Sequence, residues 1–135
     1  MITPIKTDKG EVQPFEYFPE SAIAAVYFGG AATVNSGGEI SYASGTTKPK
    51  YITFAEVNPS VTEWPDTVAV IRVQKDVIYE SVLSAAAANI KRGSGLKLNS
   101  EGTAFVLAGT GEDPVAECIG FEGTTAGSAI RVRFL

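Results

Sequence analysis

The chain has 135 residues, of which 44% are hydrophobic and 19% charged, with a formal net charge of −4 and no histidine. This length and balance favour one globular domain with a single core. The lack of histidine excludes histidine-based acid–base catalysis, serine–histidine or cysteine–histidine nucleophile pairs, and histidine metal ligands. Basic residues are scattered along an acidic chain, which argues against nucleic-acid binding.

The sequence shows no signal for membrane insertion. No apolar run approaches the ~20 residues that a membrane-spanning helix needs. The first residues also lack the basic and apolar regions of a secretory signal. We therefore expect a protein that is made in the cytoplasm and works without entering a membrane.

Residues 1–16 predict an extended N-terminal arm. Three prolines within residues 1–20 disfavour a helix or a central strand, yet the segment keeps several apolar side chains. We expect Ile5, Phe15, Tyr17 and Phe18 to contact a partner protein or a neighbouring subunit. The alternative is that residues 15–18 cover the open end of their own domain. If the arm stands apart from the domain, removing residues 1–13 should leave the melting temperature almost unchanged.

Residues 17–135 predict a single, mostly β domain, either a small barrel or a sandwich. Several short runs alternate apolar with polar side chains, as half-buried strands do, and glycine or proline turns separate them. Four alanines at 85–88 are compatible with one helical turn. The predicted strands are residues 39–43, 51–57, 68–74, 96–98, 115–121 and 128–134.

The sequence also contains an internal repeat. The tripeptide Ile-Arg-Val begins at Ile71 and again at Ile130. The segment "AATVNSGGEISYASGT" at 31–46 aligns in the same order with "AANIKRGSGLKLNSEGT" at 87–103, which pairs Ile40 with Leu96. We interpret the chain as two related tandem halves that share one core. The halves are about residues 17–76 and 77–135.

The repeated tripeptide predicts which side chains are buried. In each half the isoleucine and valine should face the shared core, and the arginine, Arg72 or Arg131, should point outward. Glu63 precedes the first tripeptide and Glu122 the second. This spacing predicts cross-strand ion pairs between Glu63 and Arg72 and between Glu122 and Arg131.

No motif indicates catalysis. Glu112 and Asp113 precede Pro114 in a glycine-rich segment, which favours a solvated turn over an acid–base pair. The "KRGSG" at 91–95 lacks the spacing of a phosphate-binding loop and predicts a turn that leads into a strand. Cys118 lies in an apolar run, as a buried inert thiol does. We predict no catalytic residue, no metal or cofactor site and no small-molecule substrate.

One family resembles this chain at particular residues. The order "IKRGSGLKLNSEGTAF", "PVAECIGFEG" and "SAIRVRF" (90–105, 114–123 and 128–134) resembles the small β proteins that decorate tailed-bacteriophage capsids, also called cement proteins. The resemblance implies a non-enzymatic virion protein that binds the major capsid protein on the outside of the expanded head and stabilises the shell. It also implies a homotrimer, and an N-terminal segment that lies along the capsid protein.

Other classes stay open. The chain is also compatible with another β-rich virion or tail component, or with a barrel similar to biotinyl and lipoyl carrier modules. Those carriers place a modified lysine beside a methionine in a hairpin, and neither Lys91 nor Lys97 has such a neighbour. A hydrolase or carbohydrate-binding module is a further class. A carbohydrate site usually shows several exposed aromatic residues, and Trp64 is the only tryptophan.

Overall fold

The computed structural model describes residues 1–7, 15–19, 29–54 and 67–135, with the side chains of residues 5–7 and 67 left out. Within these ranges the secondary structure is entirely β, so the prediction of a mostly β fold is confirmed. The alanine run at 85–88 contains no helix. No described helix is long and apolar enough to cross a membrane. The strands are β1 Thr3–Thr7, β2 Glu16–Pro19, β3 Ala31–Val34, β4 Ile40–Tyr42, β5 Tyr51–Thr53, β6 Thr67–Arg72, β7 Val77–Val82, β8 Gly95–Leu98, β9 Phe105–Leu107, β10 Ala116–Phe121 and β11 Ala129–Phe134.

The strands form two antiparallel sheets. Sheet A has six strands in the order β1-β7-β11-β10-β8-β9, and sheet B has five in the order β2-β6-β5-β3-β4. If β1 is set aside, β7-β11-β10-β8-β9 repeats the order β2-β6-β5-β3-β4 strand for strand. Each of the five strands of sheet B therefore has a strand of sheet A at the same place in the sheet order.

A single apolar cluster joins the two sheets. Ile52 and Ile71 of sheet B belong to the same buried cluster as Tyr79, Leu96 and Val132 of sheet A. In the longer strands β7, β8 and β11, alternate residues lie in this layer, as a pleated strand with one face in the core requires. Burial of these side chains is the main favourable contribution to folding.

The alternation predicted for the repeated tripeptide is confirmed. Ile71, Ile130 and Val132 are buried in the shared cluster, and Val73 packs against it. The side chains of Arg72 and Arg131 remain more than half exposed. The alternation of apolar and polar residues in the sequence therefore predicted correctly which side of each strand faces the core.

Sheet B buries apolar residues on its second face as well. Ala32, Ile40, Tyr51, Val68 and Val70 form a separate buried cluster, and Phe18 and Val34 pack against it at the margin. Neighbouring residues of one strand point in opposite directions, so Ile71 enters the core between the sheets while Val70 enters this second cluster.

The two β-hairpins at corresponding places contain similar turns. Between β3 and β4, Asn35 Oδ1 accepts a hydrogen bond from the Glu39 N–H at 3.0 Å. Between β8 and β9, Asn99 Oδ1 accepts one from the Thr103 N–H at 2.9 Å. In both turns a glycine with positive φ, 81° and 70°, follows three positions after the asparagine. An asparagine side chain that bonds the backbone ahead of it stabilises such turns.

These turns revise the residue pairing of the sequence alignment. That alignment set Ile40 opposite Leu96, but Ile40 lies in β4 and Leu96 in β8. The strand of sheet B at the place of β8 is β3. The alignment went wrong because strands of three or four residues contain too few apolar positions to define a register, whereas the asparagine–glycine turns do define one.

The N-terminal segment is built into the domain. Residues 3–7 form β1, which pairs with β7 at the edge of sheet A. Ile2 is only 1% exposed and belongs to the core cluster, and its N–H donates to the Gly29 carbonyl at 2.7 Å. The expectation that residues 1–13 can be removed without loss of stability is therefore wrong, because removal would open a cavity and expose the edge of β7.

Backbone contacts also join the sheets where β3 and β8 approach each other. The Ala31 N–H donates to the Gly102 carbonyl at 2.7 Å, and the Leu98 N–H donates to the Gly45 carbonyl at 2.9 Å. A Cβ on Gly102 would lie 2.5 Å from the Ala43 carbonyl oxygen. Only glycine permits this approach, because it tolerates the positive φ and has no side chain.

We predict that Ile2→Ala destabilises the protein by about 2–4 kcal/mol, the usual cost of truncating a buried isoleucine. Urea unfolding followed by circular dichroism measures the change. Thr3→Ala is the control, since its side chain is exposed, and it should change stability by less than about 0.5 kcal/mol. An equal, small effect of both substitutions would contradict the burial of Ile2.

We also predict that Gly102→Ala destabilises the protein more than Gly111→Ala. Both glycines have positive φ, but a Cβ at Gly111 would meet no atom within 4 Å. Gly111→Ala should therefore cost only the conformational strain, about 1–2 kcal/mol. Gly102→Ala adds a backbone clash, for which we expect about 1–3 kcal/mol more. Equal unfolding free energies for the two variants would rule out the close approach at Gly102.

Candidate partner-binding site

The strand β2 forms one edge of sheet B and presents aromatic side chains to solvent. The sequence Phe-Glu-Tyr-Phe favours a strand because aromatic residues fit a pleated, half-buried surface. Pro19 lies at the end of the strand, where the lack of an N–H is tolerated. Tyr17 is 67% exposed and Phe15 is 51% exposed. The surface formed by Phe15 and Tyr17 is called here the aromatic edge.

Side chains of β2 lie on two faces. Phe18 packs against the second cluster, with its ring centroid 4.9 Å from that of Tyr51. Phe15 makes an edge-to-face contact with Phe54 at 5.4 Å between centroids. Tyr17 alternates with Phe18 and points away from the second cluster. Phe15 and Tyr17 are thus on one side of the strand and Phe18 on the other.

An ion pair fastens β2 to the sheet. Arg72 Nη2 donates to Glu16 Oε1 at 2.9 Å, and Arg72 Nε donates to Glu16 Oε2 at 3.3 Å. The guanidinium also lies 5.3 Å above the Tyr51 ring and donates to its hydroxyl at 3.3 Å. The bond to Glu16 raises the pKa of Arg72 above its usual value. A two-point contact of this kind restricts the strand more than a single point charge would.

The structure distributes the four predicted partner-binding residues over both sheets. Ile5 lies in β1 of sheet A, and its side chain is outside the described residues. Phe15 and Tyr17 lie together on the aromatic edge of sheet B. Phe18 covers its own chain, as the alternative interpretation held for this residue. Phe15 and Tyr17 are therefore the described members of the set that are accessible to a partner.

A shallow cleft on the outer face of sheet A is a second accessible feature. It has a volume of about 110 Å³ and lies around Phe121 and Gly120. The charged residues that line it are Glu80, Arg92, Glu122 and Arg131. Phe121 was not singled out from the sequence, and Arg92 was considered only as part of the turn at 91–95. Phe121 follows a β-bulge between Cys118 and Gly120, and such irregularities redirect side chains.

The strand register also shows why one predicted ion pair does not form. Arg131 lies opposite Glu80 of β7 in the register, and its Nε is 3.7 Å from Glu80 Oε2. The Glu122 N–H bonds to the Ala129 carbonyl instead, so Glu122 is displaced along β11 from Arg131. The prediction for Glu122 is wrong. Glu63 lies outside the described residues, and Arg72 pairs with Glu16.

The acidic pair Glu112–Asp113 is held in two separate ion pairs. Lys97 Nζ lies 2.7 Å from Glu112 Oε1, and Lys48 Nζ lies 3.4 Å from Asp113 Oδ2. The hydrogen bond from Lys97, followed by one from the Gly109 N–H, lowers the pKa of the Glu112 carboxyl. A carboxyl with a lowered pKa stays ionised near neutral pH. This favours a structural role for Glu112 in the turn over a role as a general acid.

The other candidate motifs have local structural roles. Residues 91–95 form a turn in which the Lys91 N–H donates to Ser94 Oγ at 3.0 Å. Cys118 is buried, and burial raises the pKa of its thiol, so the reactive thiolate is disfavoured. No group of three or more acidic, cysteine or histidine side chains within the described residues has the arrangement of a metal site.

The carrier-module interpretation requires an accessible lysine at a hairpin turn. Lys97 lies within β8 rather than at a turn, and its ammonium is engaged by Glu112. Lys91 is exposed, but it lies in the turn that precedes β8. Neither position reproduces the expected lysine hairpin.

No protein-family model matches the sequence, and no curated protein is significantly similar to it.

We predict that Lys97→Met raises the pKa of Glu112 toward that of an unperturbed glutamate. The pKa of Glu112 is lower in the folded state than in the unfolded state. The contact with Lys97 therefore stabilises the fold above the unfolded-state pKa, and this contribution is lost as the pH falls through the folded-state pKa. NMR titration of the Glu112 side-chain carboxyl measures the shift. Lys91→Met serves as the control, and a shift of equal size in both variants would exclude the specific Lys97 contact.

Proposed function

We propose that this protein is a non-enzymatic capsid decoration protein of a tailed bacteriophage, which binds the major capsid protein on the outer surface of the expanded head. The observation that carries the proposal is the aromatic edge, where Phe15 and Tyr17 are exposed on a strand that the Glu16–Arg72 pair holds in place. Exposed apolar side chains on a small domain commonly mark a protein interface. Because the backbone of this strand is already fixed, little conformational entropy is lost when a partner binds it.

The resemblance to decoration proteins supports the same assignment. The residues that carry it, 90–105, 114–123 and 128–134, include β8, β10, β11 and the first residue of β9. These four strands are contiguous in sheet A, in the order β11-β10-β8-β9. The resembling segments thus make up one packed unit rather than scattered matches, which is what a shared fold would produce.

The finer architecture in this proposal is two tandem copies of a five-stranded unit, packed as a small barrel or sandwich around one core. The repeated strand order and the pair of asparagine–glycine turns at Asn35 and Asn99 support a duplication. The chain boundary between the copies falls between β6 and β7, near residues 76 and 77. Duplication explains how a chain of this size obtains two sheets that fit each other.

Assembly into a homotrimer would make weak contacts sufficient. A trimer that binds a repetitive shell at three points gains avidity, because the second and third contacts form at high effective concentration. A shallow aromatic edge is then enough to hold the protein on the head. Bound trimers at three-fold positions would link neighbouring capsid subunits and so resist the pressure of the packaged genome.

The test is binding to purified, expanded heads of the phage that encodes the chain, measured by co-sedimentation and located by electron microscopy. We expect saturable binding, density at three-fold positions, and weaker binding to unexpanded proheads. Phe15→Ser should weaken binding at least about tenfold, since burying the exposed half of a phenylalanine contributes on the order of 1–2 kcal/mol per site.

Val82→Ser is the matched control for Phe15→Ser, because Val82 is an exposed apolar residue on sheet A. This variant should bind as the wild type does. If the wild-type protein does not bind heads, the proposed function is wrong. Binding to tails, or density elsewhere in the virion, would favour a different virion component.

A further inference from the structure

The outer face of sheet A carries two opposite charges side by side. Glu117 of β10 lies directly opposite Arg133 of β11 in the strand register. Both residues alternate with the core residues Cys118 and Val132, so their side chains point away from the core. Each of the two residues is half buried. Directly opposite residues have Cβ atoms about 5 Å apart, which is within reach of an ion pair.

These two charges are nevertheless unpaired. Within the described residues, no ion pair involves Arg133 or Glu117. The neighbouring couple on the same face does pair, with Arg131 Nε 3.7 Å from Glu80 Oε2. Arg133 Nε is enclosed, and no acceptor of the described chain bonds it. A buried donor without an acceptor costs free energy, and an acceptor from another molecule at the guanidinium would offset this cost.

Apolar side chains lie beside the two charges. Tyr79 is opposite Val132 in the register, which places the half-buried Ile78 next to Arg133 on the outer face. Leu135 is 42% exposed and lies two residues beyond Arg133, on the same side of the chain. Apolar neighbours strengthen an ion pair once a partner covers it, because water is excluded and the local dielectric falls. The outer patch is the name used here for Ile78, Glu117, Arg133 and Leu135.

The chemistry of the outer patch favours a partner that carries both signs of charge. A free anion at Arg133 would be repelled by Glu117 beside it, and a free cation at Glu117 would be repelled by Arg133. A partner that fits must therefore offer an acid and a base side by side in an apolar setting. The outer patch of a second copy does so, because symmetry can bring the Glu117 of one copy opposite the Arg133 of the next.

We propose that copies of this chain associate through the outer patch, with Arg133 of each copy paired to Glu117 of the next. This inference goes beyond the proposed function and does not depend on the capsid protein. It fits a homotrimer, because three adjacent acid–base couples around a three-fold axis close into a ring in which every charge is paired.

The outer patch is separate from the residues that the head-binding test uses. Phe15 and Tyr17 belong to β2 and the aromatic edge of sheet B. Val82 lies on sheet A, four residues beyond Ile78 along β7. At about 3.3 Å per residue this is about 13 Å from the patch, so Val82→Ser leaves the proposed contact between copies intact.

Charge reversal tests the proposal, with self-association measured by sedimentation equilibrium of the purified protein without heads. Arg133→Glu or Glu117→Arg alone places like charges opposite each other and should weaken self-association at least about tenfold. The double variant should associate within about threefold of the wild type, because the pairs form again with their signs exchanged. Lys50→Glu is the control, since it reverses one charge at an exposed residue beside β5 of sheet B. It should associate as the wild type does.

Circular dichroism checks that each variant is folded, and a salt titration of the wild type gives a readout that needs no variant. Self-association should weaken as the salt concentration rises, because salt screens partly exposed charges. A wild type that stays monomeric at its highest soluble concentration would overturn the inference. Association that neither salt nor the single reversals weaken would overturn it too. Both results leave head binding untouched, whereas a trimer that forms as expected but does not bind heads would overturn the proposed function alone.

Discussion

The apolar layer between the sheets is the constraint on which the rest of the molecule depends. Tyr79, Phe105 and Phe134 form its aromatic part, with ring centroids 5.1 Å and 5.8 Å apart, and Ile52 and Ile71 of sheet B pack into the same cluster. Neither sheet could bury this face alone, because a lone small sheet leaves one apolar surface in water. Packing the two faces together fixes their separation, and with it the place of every edge strand.

The edge strand β2 shows how this core serves the proposed function. Phe18 is held in the second cluster, and Glu16 is held by Arg72, which in turn lies on Tyr51. With alternate residues anchored in this way, Phe15 and Tyr17 are presented from a fixed backbone. Their exposure is thus a property of the fold, and a partner can bind them without first ordering a flexible segment.

The two sheets share a strand order but differ in what surrounds them. One face of sheet A lies in the core and its first edge is covered by β1, whereas sheet B has buried clusters on both faces and an open edge at β2 in the part of the chain that the structure describes. Pairing of β1 with β7 and the burial of Ile2 stabilise this edge of sheet A.

Sequence alone determined the β class and the faces of the longer strands, because a period of two residues is a local property of a pleated backbone. It also identified the turn character of residues 91–95 and 112–114, since glycine and proline restrict the backbone locally. Only the tertiary structure decided that β1 belongs to sheet A, that Arg131 pairs with Glu80, and which hairpins correspond. These features depend on the register between strands that are distant in sequence, and a bulge or a short strand shifts that register without leaving a mark in the residue pattern.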